Sequence, residues 1–139
     1  MRKVLSVPAG KTHDWILQHK VYSCPEEYCY PEAKHFAPRD AKGDIHVVFK
    51  IDSVHSANPF DIDAENLPEH ARRRISGYIS AVQHKKGILD NGGSYRFYLL
   101  SECEEGHLNP PAKTRTRLTN ACCFDFEELV SKKPFVEPL

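Results

Sequence analysis

The feature that most constrains the fold is "DIHVVFKIDSV" (44–54), in which apolar and polar side chains alternate. Alternation at period two places successive side chains on opposite faces of an extended chain. The apolar face carries Ile45, Val47, Phe49 and Ile51, and the polar face carries His46, Lys50 and Asp52. We therefore predict a half-buried strand, which needs a sheet with a packed layer on one side.

A helix is the second clear element, and it starts near Asn66. Asn66 is placed as its cap and Pro68 stands in its first turn. An apolar stripe then recurs at helical spacing: Leu67, Ala71, Ile75, Tyr78, Ile79 and Val82. Such a stripe predicts a helix packed by one face against the rest of the domain.

Shorter patterns complete the element order. Apolar runs predict strands over 3–8 and 95–101, with a short helix containing Trp15 after the first. After a Pro110-Pro111 connector, "RLTNACCFDFEELVSKKP" predicts a last strand and helix. Strands separated by single helices at uneven spacing favour an α+β fold, here a small mixed β-barrel flanked by about three helices.

Length and composition place this fold in one soluble domain. The chain has 139 residues, which suits a single domain over 1–139. Nineteen basic residues balance 19 acidic ones, so an anionic partner has to be met by a local patch. Five cysteines, two of them adjacent, favour reduced thiols, and no apolar run is long enough for a membrane span. We expect a cytoplasmic protein with no membrane contact and no cofactor.

Aromatic residues are dense between 15 and 36, where regular patterns are weakest. Flat rings in such a segment can hold a nucleic-acid base by stacking, as an aromatic cage does. Two polar residues at the end of the alternating strand are candidates to read the edge of that base. The predicted base-binding residues are Trp15, Tyr22, Tyr30, Phe36, Asp52 and Ser53.

Basic residues form separate local groups that could contact phosphates. The most informative is "KTRTR" (113–117), because alternation in an extended segment would place its three cations on one side. The predicted phosphate-binding residues are Lys34, Arg39, Lys113, Arg115 and Arg117.

Recognisable catalytic motifs are absent from the sequence. It contains no G-x-S-x-G and no H-E-x-x-H, and "PAGKT" lacks the upstream glycine of a phosphate loop. The alternative to an organic ligand is a metal, held by His19, Cys24, Cys29 and His35 in the His/Cys-rich region 13–35. We therefore expect a binding module more readily than an enzyme.

Several segments together resemble the PUA-like superfamily, either EVE-type domains related to the YTH readers of methylated RNA or ASCH-like domains. The likeness rests on "KVLSV" before a short helix, "AKHFAPRDAKGDIHVVFKIDSV", "YRFYLLSE" and "CCFDFEELVSKK". The resemblance implies a small mixed β-barrel flanked by helices. It also implies a nucleic-acid-binding module, in which a pocket takes a modified or flipped-out base.

The sequence thus favours a partner that is DNA or RNA, with or without a base modification. Two alternatives stay open. One is a small metal-dependent enzyme, or a domain associated with a separate nuclease or effector, that uses the 13–35 region. The other is a protein-interaction domain of a phage-defence or counter-defence system.

Overall fold

The computed structural model describes residues 1–64, 66–83, 85, 88–89 and 93–139, and these form six strands and three α-helices. In chain order the elements are β1 (Lys3–Pro8), α1 (His13–His19), β2 (Val21–Pro25), β3 (His35–Arg39), β4 (Ile45–Ala57), a 3-10 turn (Ile62–Ala64), α2 (Glu69–Val82), β5 (Tyr95–Ala112), β6 (Cys122–Asp125) and α3 (Phe126–Leu129). No helix in this part of the chain combines the length and the apolar character needed to cross a membrane.

Hydrogen bonds order the strands as β2-β5-β4-β3-β1-β6. β1 runs parallel to β3 and antiparallel to β6, while β3 with β4 and β2 with β5 are antiparallel pairs. The predicted mixed α+β class is confirmed. The first and last strands of this order do not pair with each other among the described residues, so the six-stranded sheet is open and a closed barrel is not confirmed.

The chain forms two compact units. Unit 1 comprises residues 1–13, 30–51 and 101–139, and unit 2 comprises residues 14–29 and 52–100. β4 and β5 each begin in one unit and end in the other. The single domain over 1–139 stays a prediction.

Unit 1 is built around β1, which pairs with β3 on one side and β6 on the other, and whose residues 4–7 are all buried. Its register sets Leu5 beside Phe36 of β3 and Cys123 of β6. One apolar cluster in the core of this unit contains Val4, Ala37, Ile45, Val48, Cys103, Ala112, Phe124, Phe126, Leu129 and Val136.

Unit 2 is built around α2. The predicted apolar stripe is confirmed for the residues from Ala71 to Val82, which are buried against β2 and β5 side chains such as Val21 and Phe97. The predicted cap at Asn66 is wrong, since the helix begins at Glu69 with Pro68 as the N-cap residue. A proline disfavours helical backbone in the residue before it, so the helix cannot include Leu67.

The strand predicted over 95–101 extends to Ala112, and Pro110-Pro111 lie inside it rather than in a connector. The extension includes an irregularity at Glu105, whose φ is 64°. The next residue, Gly106, is buried so close to β4 that a Cβ there would lie 2.3 Å from the Val48 carbonyl oxygen. A glycine at such a contact permits the two backbones to approach, as in a β-bulge.

Candidate anion-binding site

Arg39, the last residue of β3, has a buried guanidinium in unit 1 with only 1% of the residue exposed. Its Nη1 donates a hydrogen bond of 2.9 Å to Ser6 Oγ and lies 3.3 Å from Cys122 Sγ. Its Nη2 donates to the backbone carbonyl of Asn120, and its Nε has no hydrogen-bond partner among the described residues. Ser6 and Cys122 face each other across the β1–β6 ladder, so the sheet register itself holds this arginine in place.

No carboxylate neutralises the Arg39 guanidinium within the described part of the chain. Burial lowers the pKa of Arg39, and the neighbouring Cys122 thiol acts in the opposite direction. Arginine nevertheless stays protonated in proteins. Burying an ion without a counter-ion costs about several kcal/mol, which the contacts of Arg39 with Ser6, Cys122 and the Asn120 carbonyl offset in part.

Arg39 contributes to the wall of a recess with a volume of about 310 Å³. Arg117 also lines the recess; its side chain is exposed and makes no ion pair with any described residue. The full lining is Pro8, Gly10, Arg39, Asp40, Gly43, Arg117, Leu118 and Thr119. The recess is therefore lined by two arginines that form no ion pair with a described residue, and by one carboxylate, Asp40.

Asp40 is the one carboxylate in this lining, and the β3–β4 turn already uses it. Its Oδ1 accepts the backbone N–H groups of Lys42 and Asp44 at 2.9 and 3.0 Å, and its Oδ2 lies 2.7 Å from His46 Nε2. Burial acts to raise the pKa of Asp40, but the hydrogen bonds from His46 and the two N–H groups outweigh it and lower the pKa. Asp40 is thus an ionised turn residue rather than the counter-ion of Arg39.

Gly43 shapes the same turn. Its φ of +89° lies in the region that L side chains rarely adopt, and a Cβ there would lie 3.6 Å from Arg117 Cγ. That distance is an ordinary van der Waals contact, so the positive φ, rather than lack of space, is what favours glycine at this turn.

Asp40, Asp44 and His46 form the one group of three potential metal ligands among the described residues, with ligand atoms within 4.8 Å of one another. Each member already has a protein partner, because the Lys113 ammonium lies 2.7 Å from Asp44 Oδ2 and His46 contacts Asp40. A lysine ammonium thus supplies the positive charge that a cation would bring. We interpret the group as part of the hairpin.

The residues predicted as alternative metal ligands do not form such a group among the described residues. His19, Cys24 and Cys29 of unit 2 do not form a group of three among the described residues. Burial raises the pKa of the Cys24 thiol to about 11, which disfavours the thiolate that zinc requires. In unit 1 the His35 ring packs on Phe126 with centroids 5.2 Å apart, and burial, followed by nearby cations, lowers its pKa.

The predicted base-binding aromatics differ in exposure. Trp15 in unit 2 is half-buried. Its ring stacks on the His19 ring, with the two centroids 6.3 Å apart, and Lys85 Nζ lies 5.6 Å from the centroid of the Trp15 ring. Tyr22 is 9% exposed and its ring contacts Tyr98 at 5.8 Å.

The other two aromatic candidates lie in unit 1. Phe36 is fully buried in β3, so its ring offers no face to a ligand in this conformation, whereas Tyr30 is partly exposed. Trp15 and Tyr30 are therefore the candidates with an accessible ring, each in its own unit.

Asp52 and Ser53, the predicted edge-reading residues, are consecutive in β4 of unit 2. Successive side chains of a strand point to opposite faces, so the two cannot both read one base edge. Asp52 is exposed with an oxygen 4.0 Å from Arg74 Nη1, and Ser53 Oγ lies 2.9 Å from His55 Nε2.

The predicted phosphate-binding residues of unit 1 have different contacts and do not form one group. Lys34 is exposed, Lys113 pairs with Asp44, and the Arg115 guanidinium lies over the Phe135 ring at 4.9 Å. Residues 113–117 contain no strand, so the alternation that would have aligned Lys113, Arg115 and Arg117 does not apply. The structure brings Arg39 and Arg117 together instead.

Sequence reasoning missed the residues that hold Arg39, namely Ser6, Asn120 and Cys122. The only local signal was the turn sequence "RDAKGD", which places an arginine directly before an aspartate-anchored turn.

Comparison with solved structures shows a likeness over the whole chain. The crystal structure of ASCH from Zymomonas mobilis aligns with 99% of this chain and 100% of its own, at a TM-score of 0.51 and 13% identity. The chain has an ASCH-like fold. The predicted ASCH-like resemblance is therefore confirmed for the fold.

Two crystal structures of mutant forms of the same Zymomonas mobilis protein, ZmASCH, also align. Each covers 73% of this chain and 69% or 70% of the other, with TM-scores of 0.44 and 0.43 and identities of 10% and 11%. No family model matches the sequence, and a comparison with curated proteins gives no match. The ASCH-like assignment therefore concerns the fold.

Proposed function

We propose that this ASCH-like chain is a nucleic-acid-binding domain, with RNA as the first class to test. The observation that carries the proposal is the recess of unit 1 lined by Arg39 and the exposed Arg117, neither of which forms an ion pair with a described residue. Guanidinium groups bind phosphate through charge-assisted hydrogen bonds, which are stronger than neutral ones. The PUA-like fold supports the same class of ligand.

The charge distribution suits a salt-sensitive interaction of modest strength. The formal net charge of the chain is zero, so attraction to a polyanion has to come from local cations. In addition to the two recess arginines, the residues Lys34, Lys113 and Arg115 remain predicted phosphate contacts. Phosphate contacts position a nucleic acid without reading its sequence.

We propose that Trp15 in unit 2 binds a base by stacking, including a modified or flipped-out base. Its ring is partly exposed, and the Lys85 side chain near it is exposed, long and able to move aside. Flipping a base out of a helix costs a few kcal/mol, roughly what stacking on one aromatic ring returns. A single-stranded ligand avoids that cost.

Replacing Trp15 with alanine is expected to weaken binding of single-stranded RNA about fivefold to a hundredfold, because base stacking on an aromatic ring contributes about 1 to 3 kcal/mol. The dependence of affinity on salt should stay the same, since no phosphate contact is removed. Fluorescence anisotropy with labelled RNA and DNA, single- and double-stranded, methylated and plain, at several salt concentrations measures both quantities.

Tyr28→Ala is the matched control, since Tyr28 is another aromatic residue of unit 2 and is 47% exposed. It should leave the affinity unchanged. Equal affinities for Trp15→Ala and the unmodified protein would show that the base site lies elsewhere. Absence of binding to every oligonucleotide at low salt would refute the proposed function and favour a protein-interaction domain.

A further inference from the structure

We propose that Lys85 is the phosphate-binding partner of Trp15, so that the two side chains together bind one nucleotide of a single strand in unit 2. The inference rests on the proposed function and adds a residue and a movement. The Lys85 ammonium lies near the Trp15 ring in the free protein, and it moves to a phosphate when a base stacks on that ring.

Lys85 is placed by the end of α2. The helix ends at Val82, and the backbone N–H of Lys85 donates a hydrogen bond of 2.9 Å to the Val82 carbonyl. The Lys85 side chain is exposed, and its Nζ is close enough to the Trp15 ring for a cation–π contact. Nζ forms no ion pair with any residue that the structure describes. The ammonium is therefore available to an anionic ligand.

The Trp15 ring is supported by the core of unit 2. Trp15 packs against the apolar cluster around α2, and it stacks on His19, which is four residues further along α1. The His19 ring packs edge-on against Tyr78, with centroids 6.2 Å apart, and the Tyr78 hydroxyl lies 2.9 Å from Ser23 Oγ. Tyr78 is 1% exposed, so this support belongs to the core. A ring held in place before binding loses little entropy when a base stacks on it.

The movement of Lys85 favours the complex. A base stacked on an aromatic ring binds more strongly than a cation near the same ring at an exposed site. The displaced ammonium is on a flexible four-carbon chain and can donate charge-assisted hydrogen bonds to a phosphate. In a strand, one sugar separates a base from its phosphate, so a cation that starts beside the ring has a short distance to move. Base stacking and charge neutralisation thus occur in the same nucleotide.

The salt dependence of RNA affinity tests the phosphate contact. In anisotropy titrations with a labelled single-stranded RNA, Lys85→Gln should make the slope of log affinity against log salt concentration shallower by about 0.7, the effect of one phosphate contact in a single strand. Lys85→Arg should keep the slope of the unmodified protein. Arg73→Gln is the matched control, because it also removes a cation of unit 2 that is 78% exposed, and it should leave the slope unchanged.

Trp15 is the only tryptophan of the chain, so tryptophan fluorescence reports on its ring alone. RNA should quench this fluorescence in the unmodified protein and in Lys85→Gln, because a base stacks on the ring in both. An unchanged salt slope in Lys85→Gln, or RNA binding without quenching, would overturn this inference and leave nucleic-acid binding intact. Failure of every RNA and DNA form to bind at low salt would overturn both.

Discussion

Replacing Gly106 with alanine is expected to destabilise the protein by about 4 kcal/mol or more, a large part of the 5 to 15 kcal/mol that holds a typical domain folded. The new Cβ would lie 2.3 Å from the Val48 carbonyl oxygen and 2.9 Å from that of Cys103. Both are backbone atoms of the core of unit 1, so neither can move without displacing a strand. Urea unfolding and thermal unfolding followed by circular dichroism measure the loss, with Tm falling by about 10 °C or more.

Gly77→Ala provides the matched control within the same chain. Gly77 lies inside α2, and a Cβ there meets no atom within 4 Å. Because alanine favours helix and restricts the unfolded chain, this change should stabilise the protein by about 0.5 to 1 kcal/mol. Equal unfolding midpoints for Gly106→Ala and the unmodified protein would contradict the close approach of β5 to β4.

Replacing Arg39 with methionine is expected to separate binding from stability. Affinity for RNA should fall about tenfold, because the positive charge of Arg39 attracts a phosphate bound in the recess that it lines, and a factor of ten corresponds to about 1.4 kcal/mol. The free energy of unfolding should change by no more than about 2 kcal/mol, since removing an unpaired buried charge offsets the loss of the donor to the fully buried Ser6. Anisotropy titration and urea unfolding on the same preparation test the two parts.

Arg96→Met is the control for this pair of measurements. Arg96 lies in unit 2 and donates hydrogen bonds to the backbone carbonyls of Tyr28 and Glu26, so it resembles Arg39 in its contacts with the chain. The substitution should leave RNA affinity unchanged. A strongly destabilised Arg39→Met protein that binds RNA with its original affinity would show that Arg39 has only a structural role.

The spacing of apolar residues in the sequence predicted those elements that bury only one face. The alternation in 44–54 predicted β4, which extends to Ala57 in the structure, and the apolar stripe after Pro68 predicted α2. The full length of β5 was not predictable in the same way. Acidic residues and two prolines resemble the end of a strand, and the close contact between Gly106 and Val48 depends on a strand distant in sequence.

The candidate site was predictable only in part. Arg39 and Arg117 were each identified as phosphate contacts from basic clusters, but "KTRTR" grouped Arg117 with Lys113 and Arg115. Their separation follows from partners far along the chain, such as Asp44, which pairs with Lys113 across 69 positions. Likewise, the contacts of Arg39 with Ser6 and Cys122 span 33 and 83 positions, because β1 lies between β3 and β6.

The Nε–H resonance of Arg117 provides the most direct test that the recess binds phosphate. In a ¹⁵N NMR titration with RNA, this resonance, assigned by its absence in Arg117→Gln, should shift and exchange more slowly with water as the complex forms. The reason is that the Arg117 side chain is exposed, lines the recess and forms no ion pair with a described residue before the ligand arrives. A resonance that stays unchanged while anisotropy reports binding would contradict the assignment of this recess as the phosphate site.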